Sequence, residues 1–275
     1  MSQWEVHAVK YADRNARIRG DSFIFDDDHN APHPMDYFMW VLIRGDDVIL
    51  VDTGYDDAEA STRDRPIRLD PRAALAPLEL MPEQITDAIV THLHYDHAGG
   101  LHLFPNAKLH MQSAEMAFAT GPCMCHDVLK MPFTAEHVCE AVKRLYAGKL
   151  KFYDGDGQIA EGVTVHCIGG HSRGLQAVRV ETAAGAMVLA SDAAHFYENL
   201  FLRKPFPIVV DLQNMLDGFD RLETLASAPS LIVPGHDPLV TRHFPQGAAE
   251  HIWRLDRGPL TPLPFGQSPS ELHKK

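Results

Sequence analysis

His92, His94, Asp96 and His97 fall within six consecutive positions of the segment THLHYDHAGG, residues 91–100. Imidazole nitrogens and carboxylate oxygens are the common protein ligands of divalent transition ions. On an extended backbone, residues two apart point the same way, so His92 and His94 address one point. Asp96 and His97 follow as the chain turns over toward Gly99 and Gly100, which aims them at a second point nearby. An isolated His-x-His is usually a surface pair; the added Asp-His has little purpose other than metal. Three more ligand types, His171, Asp192 and His236, end the apolar runs VTVHCIGGHS, AMVLASD and SLIVPGHD. Two cations need roughly three or four protein ligands each. Seven residues with one bridging carboxylate meet that need and leave positions open for water and substrate.

Ligands on separate segments need rigid elements to bring them together. FMWVLIRGDDVILVDTG (38–54) reads as a hairpin around Gly45-Asp46-Asp47. DAIVTH (87–92), KLHMQ (108–112) and the runs at 163–172 and 229–237 read as short strands leading into loops. LQAVRVET and AMVLASD bracket a turn at Ala183-Ala184-Gly185. The stretch 134–149 predicts a helix capped by Thr134 and ended at Gly148, with Val138, Ala141, Val142 and Leu145 on one face. The stretch 212–228 predicts an amphipathic helix, and a last helix is expected near 247–256. Strands followed by mixed strands and helices suit two sheets with helices outside, an α/β architecture in a single domain over 1–275.

The totals narrow the class of protein. A formal charge of −12 disfavours a nucleic-acid footprint and an anionic membrane surface. No run is long enough to span a bilayer, and MSQWEVHAVK lacks an apolar signal core, so a cytoplasmic protein is expected. The four cysteines, Cys123, Cys125, Cys139 and Cys167, are not needed as staples in a chain of 275 residues.

HLHYDHAGG resembles the His-x-His-x-Asp-His signature of the metallo-β-lactamase superfamily. VDTG (51–54), GGHS (169–172), SDAAH (191–195) and PGHD (234–237) match its other landmarks in order. The resemblance implies a four-layer αβ/βα sandwich with two divalent ions at one edge of the paired sheets. Zinc is the default, and manganese, iron or cobalt suit the same ligands. The implied ligands are His92, His94, Asp96, His97, His171, Asp192 and His236, with Asp52 beside them orienting the set. Asp96 and Asp192 together with His236-Asp237 are similar to the N-acyl-homoserine lactonase branch, associated with quorum quenching. That branch implies ring opening of a lactone by metal-activated hydroxide, with Asp96 moving a proton to the leaving alkoxide. A glyoxalase II-like thioesterase and a mononuclear iron persulfide dioxygenase share the fold and are the rival readings.

The branch usually carries Tyr three residues after the bridging Asp; here that place holds His195, with Tyr197 two further on. A neutral imidazole can donate a hydrogen bond as a phenol does, so His195 is expected to support the transition state. Arg173 in SRGLQ offers an anion contact. GPCMCHDVLKMPF (121–133) has the wrong spacing for a zinc knuckle and reads as a substrate loop lined by Met124, Leu129, Met131 and Phe133. DDDHNAPHP (26–34) reads as a surface loop with solvated His29 and His33, placed to act as a lid. The expected partner is a small lactone or ester.

Overall fold

The computed structural model describes residues 3–265. Seven strands form the first sheet, in the order β12-β1-β2-β3-β4-β5-β6. These are β1 (Glu5–Arg14), β2 (Met35–Arg44), β3 (Asp47–Val51), β4 (Asp87–Ile89), β5 (Lys108–Gln112), β6 (Leu150–Tyr153) and β12 (Ile252–Arg254). The second sheet has the order β11-β10-β9-β8-β7. Its strands are β7 (Gly157–Ala160), β8 (Val163–Cys167), β9 (Gln176–Thr182), β10 (Gly185–Ser191) and β11 (Ile232–Pro234). Helices α1 (Asp57–Arg63), α2 (Tyr95–Ala98), α3 (Ser113–Ala119), α4 (Asp127–Lys130), α5 (Ala135–Tyr146), α6 (Tyr197–Phe201), α7 (Leu212–Leu225) and α8 (Val240–His243) complete the chain.

Alternation along β2 shows why the layers form. Phe38, Trp40 and Leu42 pack between the sheets with Val178 and Leu189, whereas Met39 and Val41 face the cluster that holds Phe118, Val138 and Ala141 of α3 and α5. On the far side, Met215, Phe219 and Leu222 of α7 cover the second sheet. The result is the four-layer αβ/βα sandwich. The β2–β3 hairpin turns at Gly45-Asp46, and Gly45 adopts the φ of +60° that the tight turn requires.

Several expectations are corrected. Residues 247–256 form no α-helix; a single 3-10 turn begins at Leu255. Ile252 instead pairs with Val9, so β12 covers an edge of β1 that would otherwise leave backbone groups open. Strands β1, β6 and β7 are not anticipated by the sequence pattern. Thr134 stands at the start of α5, but its hydroxyl donates to Glu59 Oε1 at 2.8 Å rather than capping. Leu145 lies on the exposed side of that helix. His33 is not solvated: it bonds Ser22 Oγ at 2.9 Å and packs against Phe23 and Phe196. Among the described residues, no helix is long and apolar enough to cross a membrane.

Candidate functional site

Strands β3 and β4 run parallel in one sheet; β8, β10 and β11 run the same way as one another in the other. Their C-terminal ends converge and release the loops that carry Asp52, His92–His97, His171, Asp192 and His236. Two glycines let these loops close in. A Cβ on Gly170 would lie 2.6 Å from Met215 Cα, and one on Gly235 would lie 2.7 Å from Asp192 Oδ1.

The seven residues meet as two buried triads. His92, His94 and His171 form one, and Asp96, His97 and His236 form the other, each with ligand atoms inside 4.8 Å. Asp192 lies between them. Its Oδ2 is 3.2 Å from His171 Nε2 and 3.8 Å from His92 Nε2. Its Oδ1 is 3.2 Å from His97 Nε2 and 3.1 Å from His236 Nε2. Asp96 Oδ2 is 3.7 Å from His97 Nε2 and 3.6 Å from His236 Nε2.

Outer hydrogen bonds set which imidazole nitrogen faces inward. His171 Nδ1 donates to the Ile208 carbonyl at 2.7 Å, and His236 Nδ1 to the Asp36 carbonyl at 2.8 Å. His97 Nδ1 donates to Asp52 Oδ2 at 2.7 Å. Thr91 Oγ1 gives its proton to Asp52 Oδ2 at 2.8 Å, so it accepts from His92 Nδ1 at 3.2 Å. The Nε2 lone pairs therefore aim at the centre, the arrangement that second-shell partners impose on metal-ligating histidines. Burial, and then the neighbouring imidazoles, push His92 and His94 well below the ordinary histidine range. Both are neutral and ready to bind a cation. Burial alone would depress His97 too, but Asp192, Asp96 and Asp52 outweigh it and raise it well above that range, so a cation at that triad would take the place of the Nε2 proton.

The fit to metal ions rests on atoms left without partners. His92 Nε2, His97 Nε2, His171 Nε2 and Asp192 Oδ1 are buried and make no hydrogen bond. Unsatisfied buried polar atoms are costly. Divalent cations bound to the two triads would satisfy all four at once.

Glu115 of α3 is a supporting residue that the sequence did not reveal. Its fully buried carboxylate accepts Leu93 N–H at 2.9 Å, Ser172 Oγ–H at 2.7 Å and Gly174 N–H at 3.0 Å. It thereby ties the His92–His94 loop to the His171 loop. Its partners stand 22 and 57–59 positions away, beyond the reach of any local pattern.

The cavity over the centre has two lobes that share His94, His171, Pro132, Pro207 and Ile208. The smaller, about 380 Å³, is apolar, with Phe118, Val128, Leu129 and Met131 in its wall. The larger, about 500 Å³, holds Asp96, Asp192, His195, His236 and the polar groups of Tyr37 and Tyr95. Several expected substrate contacts lie elsewhere. Met124 packs on the core cluster behind α3 and α5, and Phe133 stacks its edge on His94 at 4.6 Å instead of facing the cavity. Tyr197 is fully buried, its amide bonded to Asp237 Oδ2 at 2.8 Å, and lines neither lobe. Arg173 is exposed, 5.9 Å over the Phe118 ring, and lines neither lobe. Residues 26–34 do not cover the cavity; Arg17 and Asp21, earlier in the same connection, reach it.

His195 does reach it. Its Nε2 donates to Asp192 Oδ2 at 2.9 Å, its ring stacks on Phe206 at 3.8 Å, and Nδ1 has no partner. Burial pushes its pKa down to about 3, so the ring is neutral near pH 7. The donor expected to serve substrate is engaged by Asp192 in this arrangement.

A paired-sheet sandwich with a three-His triad and an Asp-His-His triad at the strand ends defines the class. A family model described as the metallo-β-lactamase superfamily matches residues 35–243, and the chain belongs to that superfamily. An N-acyl homoserine lactonase of Bacillus cereus is 30% identical over 158 residues, 57% of this chain and 57% of its own length. The chain thus spans little more than half the length of that relative. A probable metallo-hydrolase of Mycobacterium tuberculosis is 26% identical over 231 residues, 72% of this chain and 74% of its own. A solved N-acyl homoserine lactone hydrolase with bound N-hexanoyl-L-homoserine superposes with a TM-score of 0.72 at 21% identity, covering 88% of this chain and 96% of that one. The dizinc lactonase AidC gives 0.69 at 17% identity, covering 96% of each. At these identities the structural likeness speaks to the fold.

Proposed function

We propose that the protein is a dinuclear metal-dependent hydrolase that opens a lactone ring. The observation that carries this reading is Asp192, whose two oxygens face opposite triads at 3.2 Å from His171 and 3.1 Å from His236. A bridging carboxylate is the feature expected of two ions held side by side. Zinc suits the nitrogen-rich donor set, as do manganese, iron and cobalt. Bound ions would lower the pKa of a shared water and polarise the ester carbonyl.

The chain's own groups supply the rest. Asp96 reaches the cavity and the second triad together, so it can carry a proton to the departing alkoxide oxygen. His195 holds Asp192 Oδ2 in place and presents a neutral ring to the cavity. The apolar lobe accepts a hydrocarbon substituent and sheds water around the reacting ester. The matched lactonases support a lactone over a β-lactam or a thioester. A single-ion persulfide oxygenase would leave one triad without a role.

Metal analysis after zinc loading, with a hydrolysis panel, tests the proposal. The expected result is two equivalents per chain and turnover of N-acyl homoserine lactones or related lactones. Asp192→Ala should lose activity and at least one equivalent. A stoichiometry that stays near one after loading refutes the dinuclear reading. Turnover of glutathione thioesters without lactones would assign the site to a thioesterase.

A further inference from the structure

The larger lobe carries three guanidinium groups, Arg14, Arg17 and Arg65, in a chain whose net charge is −12. Most other arginines are paired: Arg19 holds Asp26 and Glu198, Arg144 holds Glu140, and Arg221 holds Asp156, whereas Arg173, Arg242 and Arg257, which line neither lobe, form no ion pair among the described residues. Among the described residues, none of the three cavity arginines forms an ion pair with a carboxylate within 4.0 Å.

Arg17 is the most demanding of them. It is 93% buried, at 7% exposure. Its Nη1 meets the Met35 sulfur at 2.8 Å, its Nη2 donates to the Asp21 carbonyl at 2.7 Å, and its Nε has no partner. Neither partner is charged, and a buried cation without a counter-charge is strongly disfavoured. Arg14 and Arg65 add repulsion, and burial, the larger effect, depresses Arg17 below the usual arginine range. Arg65 donates to Tyr95 Oη, which lies 3.3 Å from Tyr37 Oη, and the Tyr37 ring is 5.1 Å from the His236 ring. The cationic wall is therefore continuous with the second triad. The carboxylates in the lobe are Asp21, exposed and accepting Ile18 N–H at 3.1 Å, and Asp96 and Asp192 of the metal donor set. Arg65 feels the charge of Asp96, which bound cations would neutralise.

We propose that the arginine wall of this lobe binds a carboxylate on the substrate, so that the preferred lactone or ester carries an anionic group besides the bond that is cleaved. This rests on the hydrolase reading above. Guanidinium forks pair with carboxylates through two parallel N–H···O bonds. The apolar lobe on the other side of His94 and His171 would take the neutral portion of the molecule. In the reaction, water adds across the acyl C–O bond: its hydroxyl goes to the acyl carbon and its proton to the ring oxygen. The second carboxylate is unchanged.

The test compares 5-oxotetrahydrofuran-2-carboxylate with its methyl ester on the metal-loaded enzyme, in wild type and in Arg14→Gln and Arg65→Gln. Both residues are half-buried and their loss should leave the fold intact. The acid is expected to exceed the ester in kcat/KM, and each variant should cut that ratio about tenfold or more, the worth of a hydrogen bond to a charged group. Binding gives a second readout by calorimetry on the same proteins. Glutarate should bind more tightly than butyrate, and the variants should erase the difference. Equal turnover of acid and ester together with equal binding of glutarate and butyrate overturns the proposal. Should neither lactone react, the lactonase reading fails, and the calorimetry still decides the anion site.

Discussion

Asp52→Asn isolates a carboxylate that touches the candidate metal centre without belonging to it. The wild-type side chain is completely buried. Its Oδ1 accepts Thr91 N–H at 2.8 Å, and its Oδ2 accepts Thr91 Oγ1–H at 2.8 Å and His97 Nδ1–H at 2.7 Å. An amide has one acceptor oxygen and one donor group. If the oxygen stays on the Thr91 amide, the new NH2 opposes His97 Nδ1–H. The imidazole must then move its proton to Nε2 and lose the lone pair that faces the centre. If the amide flips, two donors meet at Thr91 instead. Either arrangement leaves a buried group unsatisfied, at a cost of about 1–3 kcal/mol. The backbone adds little, because φ at position 52 is +59° and Asn tolerates that region as well as Asp. Outer partners of ligating histidines are worth about 10–100-fold in metal affinity, equivalent to roughly 1.4–2.7 kcal/mol. The assay is zinc competition against a fluorescent chelator, with urea unfolding of the metal-free proteins alongside. One of two equivalents should weaken by that factor while the unfolding slope is unchanged. Wild-type affinity for both equivalents would make Asp52 a mere turn residue and refute the reasoning.

His195→Ala should keep its metal and lower kcat by less than the roughly 10²–10³ lost with a dedicated oxyanion donor; release of an equivalent in metal analysis would make His195 a ligand. Glu115→Gln should destabilise the metal-free protein by about 1–3 kcal/mol in urea, because a buried amide cannot accept all three donors held by the carboxylate; a change too small to measure would remove Glu115 from the supporting shell. Burial opposes ionisation of Glu198, yet the His33 imidazole at 3.6 Å and the hydrogen bonds from Arg19 prevail and bring its pKa down to about 2 from an ordinary 4.5. A depressed acid contributes stability that is complete above its unfolded pKa and lost as pH falls through the folded one. The stability gap between wild type and Glu198→Gln should therefore be full at pH 6 and narrow between about 4.5 and 2; a gap that is constant with pH would contradict the pairing.

The candidate ligand residues were legible because metal chemistry restricts residue type. His92, His94, Asp96 and His97 sit close enough in sequence for local backbone geometry to bring them together, and His171, Asp192 and His236 each end an apolar run. The strands β2, β3, β9 and β10 were legible from apolar runs and turn residues, and α5 and α7 from helical spacing. The distances from the Asp192 oxygens to each triad, the tie made by Glu115, the withdrawal of Tyr197 into the core and the arginine wall belong to tertiary structure alone. So does β12, whose short segment becomes a strand only because β1 offers an edge about 240 residues earlier in the chain. The physical reason is range. Side-chain type and backbone period are local properties. Which carboxylate faces which imidazole, or whether a buried arginine finds a counter-charge, depends on surfaces that meet only when the two sheets pack.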